Sequence, residues 1–280
     1  MRHRSFGPTG RAVPVIGLGT ALFEREDPEL VTAAIRRAME RGMTHVDTAE
    51  TYGKGRVEEL LGQALAGYRG EVFLASKVHP AQATFAGTLR ACEHSLRRLR
   101  TDRLDLYLLH WRGALPLEET FRAFETLKRD GKILAWGVSN FDVAELATAI
   151  EVAGPGAIAC NQVPYNLDER DAEHVLQVFC ERNRVAFVGY SPLASGRFPA
   201  PGSHGGAVLE TIAAARRVSA RTVALAYLTR GAGTFTIPKT ARAAHVDALA
   251  AAGDLALADD EIAAIQAAFP LGPPRSVPYV

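Results

Sequence analysis

The sequence predicts an α/β fold, a single eight-stranded (β/α)8 or TIM barrel, on three observations. Short apolar runs alternate eight times with longer amphipathic stretches, the runs are almost continuously apolar, and no second zone of composition interrupts them. Continuous apolarity marks parallel strands covered on both faces, and the alternation makes a parallel sheet with crossover helices. Eight similar units favour closure into a barrel over an open, doubly wound sheet, which is the rival topology. The one domain is taken to span residues 1–280.

In chain order the strands are expected over residues 13–20, 44–49, 72–78, 104–110, 133–140, 157–166, 185–193 and 234–240. Between them the helices have recognisable ends. Asp27-Pro28-Glu29 offers an N-cap, a proline in the first turn and an acidic start, and Gly42 can close that helix. Pro116-Leu117-Glu118-Glu119 opens another that Gly131 ends, and the helical pattern continues over 168–183 and 206–220. Ahead of the first strand, residues 4–13 read as a β-hairpin capping the barrel floor, with Gly7-Pro8-Thr9-Gly10 at its turn.

Composition narrows the function. Apolar residues make up 48% and charged residues 22% of the chain, a globular balance, and the net charge is only +1. That argues against nucleic acid or a membrane surface as the main partner. No stretch approaches the roughly 20 apolar residues of a membrane span, and the first ten residues lack a signal-peptide core. The three cysteines, Cys92, Cys160 and Cys180, form no CxxC pair and read as reduced thiols, so the expected location is the cytoplasm. The histidines show no ligand spacing, and no metal site is expected.

In a barrel the carboxyl ends of the strands face the active site. Here those ends are polar in an unusual series. Strand two ends in Asp47, with Tyr52 in the following loop; strand three ends near Lys77 and strand four in His110-Trp111. Polar groups at the end of a buried strand are costly unless paired. These strands are neighbours about 4.8 Å apart, so Asp47, Lys77 and His110 share one arc of the rim and Tyr52 leans over them. A phenol titrates near 10, too high for efficient proton transfer at neutral pH, but an adjacent ammonium lowers that value and a carboxylate behind the lysine keeps it charged. The four are therefore the catalytic candidates, with Tyr52 as proton donor and His110 orienting the substrate oxygen. Trp111 joins Tyr52 and His110 in lining the substrate pocket. His45, two residues before Asp47, reads as packing.

Such a set moves protons but supplies no electrons, so a cofactor must carry the hydride. The opposite arc has the parts to hold one. Ser139, Asn140 and Gln162 can hydrogen-bond a carboxamide, and Tyr190 offers an aromatic face. Phosphate sites often follow strands seven and eight. There the chain places Ser191, Pro192, Leu193, Ser195, Gly196 and Arg197, then Lys239, Thr240 and Arg242 ahead of a helix. Asp47, with Gly19 and Thr20 at the end of strand one, is counted among the cofactor-binding positions. Gly17-Leu18-Gly19-Thr20-Ala21-Leu22 is not a dinucleotide fingerprint, because leucine stands in its last position and no helix opens on it.

Over nearly its whole length the sequence resembles the aldo-keto reductase superfamily. The resemblance rests on Asp47-Thr48-Ala49 with Tyr52-Gly53, the run 104–111, Gly137-Val138-Ser139-Asn140-Phe141, Asn161-Gln162, Tyr190-Ser191-Pro192-Leu193 and Ile237-Pro238-Lys239, in that order. It implies the barrel, NAD(P)H dependence, the catalytic set Asp47, Tyr52, Lys77 and His110, and Tyr190 stacked on the nicotinamide. Departures matter too. Ala21 stands where family members often carry a tryptophan, which opens that pocket wall. His245, Ala248 and Leu249 stand where the family usually has an arginine for the 2′-phosphate, then glutamate and asparagine. Lys239, Thr240 and Arg242 still favour NADPH, with NADH possible. Short segments after strand four and at residues 270–280 imply an open site for small aldehydes or dicarbonyls.

The expectation is an NADPH-preferring oxidoreductase that reduces small aldehydes, dicarbonyls and some ketones to alcohols, as a monomer or weak homo-oligomer. Two alternatives stand beside it: a non-catalytic nicotinamide-binding regulatory barrel, and a Schiff-base aldolase using Lys77.

Overall fold

The computed structural model describes residues 1–273. Its first two strands, β1 (His3–Ser5) and β2 (Ala12–Pro14), form an antiparallel hairpin with Arg4 opposite Val13. Eight further strands lie parallel in one sheet: β3 (Leu18–Gly19), β4 (His45–Asp47), β5 (Phe73–Val78), β6 (Leu104–Leu109), β7 (Ile133–Ser139), β8 (Ile158–Pro164), β9 (Ala186–Tyr190) and β10 (Thr234–Thr236). They pair in sequence order from β3 to β10. The seam between first and last is closed by Gly17 N–H donating to Thr236 O at 2.8 Å, Thr236 N–H to Val15 O at 2.9 Å and Gly19 N–H to Pro238 O at 3.0 Å. Gly19 is needed for this approach, because a Cβ there would stand 2.6 Å from Ile237 O. The predicted barrel and hairpin are both present.

The expected strands over 185–193 and 234–240 end at Tyr190 and Thr236, and three further stretches differ from expectation. The apolar run 13–20 is two elements: Val13 belongs to the hairpin, and only Leu18–Gly19 is barrel strand. The run is apolar throughout because both halves are buried, so hydrophobicity could not divide it. The helix expected over 168–183 is confined to α6 (Leu176–Arg182), behind a single 3-10 turn at Asp171–Glu173. Polar clamps hold the earlier residues as loop: Arg170 donates to Tyr227 Oη and Phe269 O, and Glu173 accepts from Tyr165 and Arg230. The stretch 206–220 is instead α7 (His204–Arg216), capped by Ser203, followed by α8 (Ala220–Leu228), capped by Ser219. The C-terminal expectation concerned residues 270–280, of which 274–280 lie outside the described residues.

The remaining helices are α1 (Pro28–Glu40), α2 (Arg56–Ala64), α3 (Phe85–Leu99), α4 (Leu117–Arg129), α5 (Val143–Ala153), α9 (Ala243–Ala251) and α10 (Asp259–Ala268). As read from the sequence, Asp27 caps α1 by accepting from Glu29 N–H at 2.7 Å. Helices and outward strand faces share the larger apolar core. A second core fills the barrel, with Phe73 and Ala75 from β5, Leu106 and Leu108 from β6, and Ala186 and Val188 from β9. Phe6 of the hairpin plugs its floor, 4.9 Å from the rings of both Phe73 and Phe235. Asp105, buried near the start of β6, ties down that floor by accepting from Arg11 of the hairpin, from Arg69 at 2.9 Å and from Leu74 N–H at 3.1 Å.

Candidate active site

The inward face of each strand has a period of two, so the interior ladders can be followed upward to the rim. Phe73 and Ala75 lead to Lys77, Leu106 and Leu108 to His110, Ala186 and Val188 to Tyr190, and Phe235 and Ile237 to Lys239. His45 leads to Asp47, and Cys160 to Gln162. The polar strand ends therefore converge over one apolar interior rather than scattering around the surface. There all of them but the fully buried Lys77 line a cavity of about 670 Å³ that reaches from Trp111 across to Lys239.

At its base is a chain of hydrogen bonds. Lys77, with no exposed surface, donates from Nζ to Asp47 Oδ1 at 2.5 Å, to Thr48 O at 2.8 Å and to Tyr52 Oη at 3.5 Å. Asp47 Oδ2 accepts from Gln162 Nε2 at 2.8 Å, so the carboxylate joins the proton-handling arc to the far side of the rim. Burial works against the Lys77 charge, but Asp47 and Tyr52 outweigh it and raise its pKa. The pair thus favours the charged form of the lysine.

Tyr52 reaches this place on a tight turn (Tyr52–Gly55) in which Gly53, Lys54 and Gly55 all have left-handed backbone, with φ of 55°, 53° and 92°. The turn is braced from behind. Buried Glu58 accepts from Arg98 Nε at 2.7 Å and from Ser76 Oγ at 2.6 Å, and the Arg98 side chain lies so close to Gly55 that a Cβ there would approach it to 2.7 Å. Sequence reading expected Lys77 to lower the Tyr52 pKa. The net direction is upward, because burial outweighs the pull of Lys77 and Asp47 adds its own push. The phenol is therefore held protonated, with the ammonium reducing the penalty for releasing that proton.

His110 sits beside it, its ring 5.9 Å from that of Tyr52 and edge-on. Its Nδ1 lies 3.4 Å from Thr51 Oγ1. Burial, then Lys77 and His79, push its pKa down to about 2, so the imidazole is neutral across the working range. Trp111 packs 4.9 Å from His110 and 4.8 Å from His79, walling that end of the cavity. His45 lies deep in the barrel against Phe6 and Phe73, away from the cavity lining.

On the other arc, Tyr190 Oη donates to Asn140 Oδ1 at 3.0 Å, and Asn140 Nδ2 donates to His110 O at 3.0 Å and Ser139 Oγ at 3.2 Å. Asn140 has φ of 62°, and Asn161, on the outer face of β8, fixes that bend by donating to Phe141 O at 2.8 Å. Ser139 Oγ donates to Gln162 O. Beyond them, Gly19, Thr20, Ser191, Pro192, Leu193, Ser195 and Gly196 line the cavity with Lys239.

Three positions fall elsewhere. Thr240 and Arg242 do not line the cavity; the Thr240 hydroxyl instead accepts from Arg242 N–H at 3.1 Å and shapes the start of α9. Arg197 is 77% exposed and lies 3.6 Å from Glu169. Leu22, which lines the cavity from a left-handed backbone position, was missed as a site residue, as were Thr51 and the Glu58–Arg98 brace. The Tyr52-Gly53 turn was the available signal for that brace. Among the described residues no group of three or more His, Cys, Asp or Glu could hold a metal, and no helix is long and apolar enough to cross a membrane.

The family model described as the aldo/keto reductase family matches residues 15–269. A methylglyoxal reductase of Escherichia coli is 41% identical, over 92% of each chain. A glyoxal reductase of Bacillus subtilis is 36% identical over 67% of this chain and 66% of its own. Among solved structures, a Klebsiella pneumoniae aldo/keto reductase in complex with NADP and acetate superposes with a TM-score of 0.93, at 38% identity and over the whole of both chains.

Proposed function

Since the chain belongs to the aldo/keto reductase family, we propose that it reduces small aldehydes and dicarbonyls to alcohols with Tyr52 as proton donor and NADPH as preferred reductant. One observation carries this reading. A fully buried ammonium, Lys77, bridges a carboxylate and a phenol, and that phenol borders the cavity.

The residues suit a nicotinamide dinucleotide. The cavity is mostly apolar with a few convergent polar groups, as cofactor sites are. Gln162 keeps an acceptor oxygen for a carboxamide while its nitrogen serves Asp47, Tyr190 offers a ring face, and Lys239 provides a cation at the far end. When bound, the reduced nicotinamide supplies the hydride that no side chain here can provide.

The chain's own residues handle the oxygen. In the tautomer whose Nδ1 accepts from Thr51, 3.4 Å away, the neutral His110 ring carries its proton on Nε2 and can donate to the carbonyl oxygen. Tyr52 gives its hydroxyl proton to the same oxygen as negative charge develops there. Lys77 stabilises the phenolate left behind, and Asp47 keeps the lysine charged and aimed. Trp111, Leu22 and Ala21 form apolar walls, and only residues 110–116 separate β6 from α4. An enclosure that limited fits small carbonyls, in keeping with the substrates in the names of the Escherichia coli and Bacillus subtilis relatives.

A Schiff-base aldolase is disfavoured, because Lys77 is charged, buried and held by three oxygens. The test is NADPH oxidation with methylglyoxal and other small aldehydes, with NADH for comparison. Tyr52→Phe is expected to lower kcat by about 10²- to 10⁴-fold, the usual contribution of a positioned acid, with cofactor binding retained. Full turnover in that variant would falsify the assignment.

A further inference from the structure

The lysine at the far end of the cavity already has an anionic partner. Lys239 Nζ donates to Glu26 Oε1 at 2.6 Å and stands 5.6 Å from the centre of the Phe23 ring. Glu26 comes from the segment between β3 and α1, and Lys239 from the segment after β10. These flank the barrel's closing seam, where a bridge between Gly19 and Lys239 holds the two backbones side by side. Both side chains are about one-third exposed, at 38% for Glu26 and 32% for Lys239, so neither is locked in place by burial. The hydrogen bond and charge of Lys239, with a further pull from Arg242, hold the Glu26 carboxyl below its usual range. Glu26 is thus an anion at any working pH.

We infer that Glu26 sets the discrimination between NADPH and NADH, by engaging Lys239 with a carboxylate that the cofactor's 2′-phosphate must displace. The inference rests on the reading above that Lys239 serves the cofactor. A phosphate monoester brings about −1.5 to −2 charge at neutral pH, and it competes for an ammonium that a carboxylate already holds. It must either displace Glu26 or share the lysine with it against like-charge repulsion. A cofactor with a bare ribose 2′-hydroxyl brings no such charge and leaves the Glu26–Lys239 pair intact. Glu26 therefore weakens NADPH and spares NADH, which narrows the preference that Lys239 alone would give.

The experiment measures the affinity of the full chain for NADPH and NADH, and for 2′,5′-ADP and 5′-AMP, by tryptophan fluorescence or calorimetry without substrate. Wild type is compared with Glu26→Gln, Lys239→Met and the double variant, each checked for an unchanged melting temperature. Glu26→Gln is expected to tighten NADPH and 2′,5′-ADP roughly two- to fivefold, the range of a partly exposed ion pair, with NADH and 5′-AMP nearly unchanged. The gain should shrink at high salt and in the Lys239→Met background. If Glu26→Gln weakens NADPH, leaves it unchanged, or shifts NADPH and NADH equally, the inference is overturned while the cofactor reading stands. If wild type binds neither nucleotide, or Lys239→Met leaves NADPH affinity unchanged, it is the cofactor reading that fails, and the inference goes with it.

Discussion

The floor and the rim of this barrel are built from the same strands, yet they use buried charge in opposite ways. At the floor, Asp105 accepts from Arg11, Arg69 and the Leu74 N–H, so its charge is neutralised by two arginines that themselves reach solvent. At the rim, Asp47 accepts from Lys77 and Gln162, and Lys77 passes the chain on to Tyr52 at the edge of a cavity. The floor circuit closes on itself. The rim circuit ends at a phenol whose proton has no acceptor among the described residues. A buried charge network serves stability when every member is satisfied within the protein, and chemistry when one member is left facing a ligand.

Substitutions at the two ends should separate these uses. The largest effect is expected at the rim. Lys77→Met leaves the Asp47 carboxylate buried without its counter-ion, which should cost about 3–5 kcal/mol, seen as a lower midpoint in urea. The same change should lower kcat at least about 100-fold, since the phenolate loses its stabilising charge. A variant with normal turnover would break the contrast between the two ends.

At the floor, Asp105→Asn should cost about 2–3 kcal/mol, because it uncouples the hairpin from β6 while its arginine partners, being more exposed, can turn to water. Here kcat should stay within about twofold for the protein that remains folded. A large loss of kcat at an unchanged melting temperature would mean that the floor takes part in catalysis after all.

The smallest effect concerns protons. His45 is wholly buried, and burial depresses its pKa from 6.5 to about 4. A depressed histidine favours the folded state above its unfolded pKa, and that contribution is lost as pH falls from about 6.5 towards 4. Between pH 7 and 5 the loss should be about 2 kcal/mol, and His45→Leu should flatten that slope in a pH series of melting temperatures. His110, pushed down to about 2, should leave no inflection near pH 6.5 in kcat/KM. An inflection there that disappears in a His110 variant would contradict the neutral imidazole.

Much of this arrangement was legible in the residues. The two-residue period of a strand carries Phe73 and Ala75 up to Lys77, and Leu106 and Leu108 up to His110, so alternation alone indicates which polar ends face inward. The same rule distinguishes Gln162, which reaches Asp47, from Asn161, which props the Asn140 bend from outside. Thr240 and Arg242 follow the last strand, which ends at Thr236, and there the turn into α9 decides where a side chain points.

By itself, then, the sequence determined the barrel, the hairpin and the inward ring of polar strand ends, because each follows from local periodicity and chain order. Only the tertiary structure decided the direction of the Tyr52 pKa, the brace of Glu58 and Arg98 behind its turn, and the pairing of Glu26 with Lys239. Burial, and a contact such as that of Glu26 with Lys239, 213 positions apart, depend on how the whole chain closes, and no local pattern encodes that.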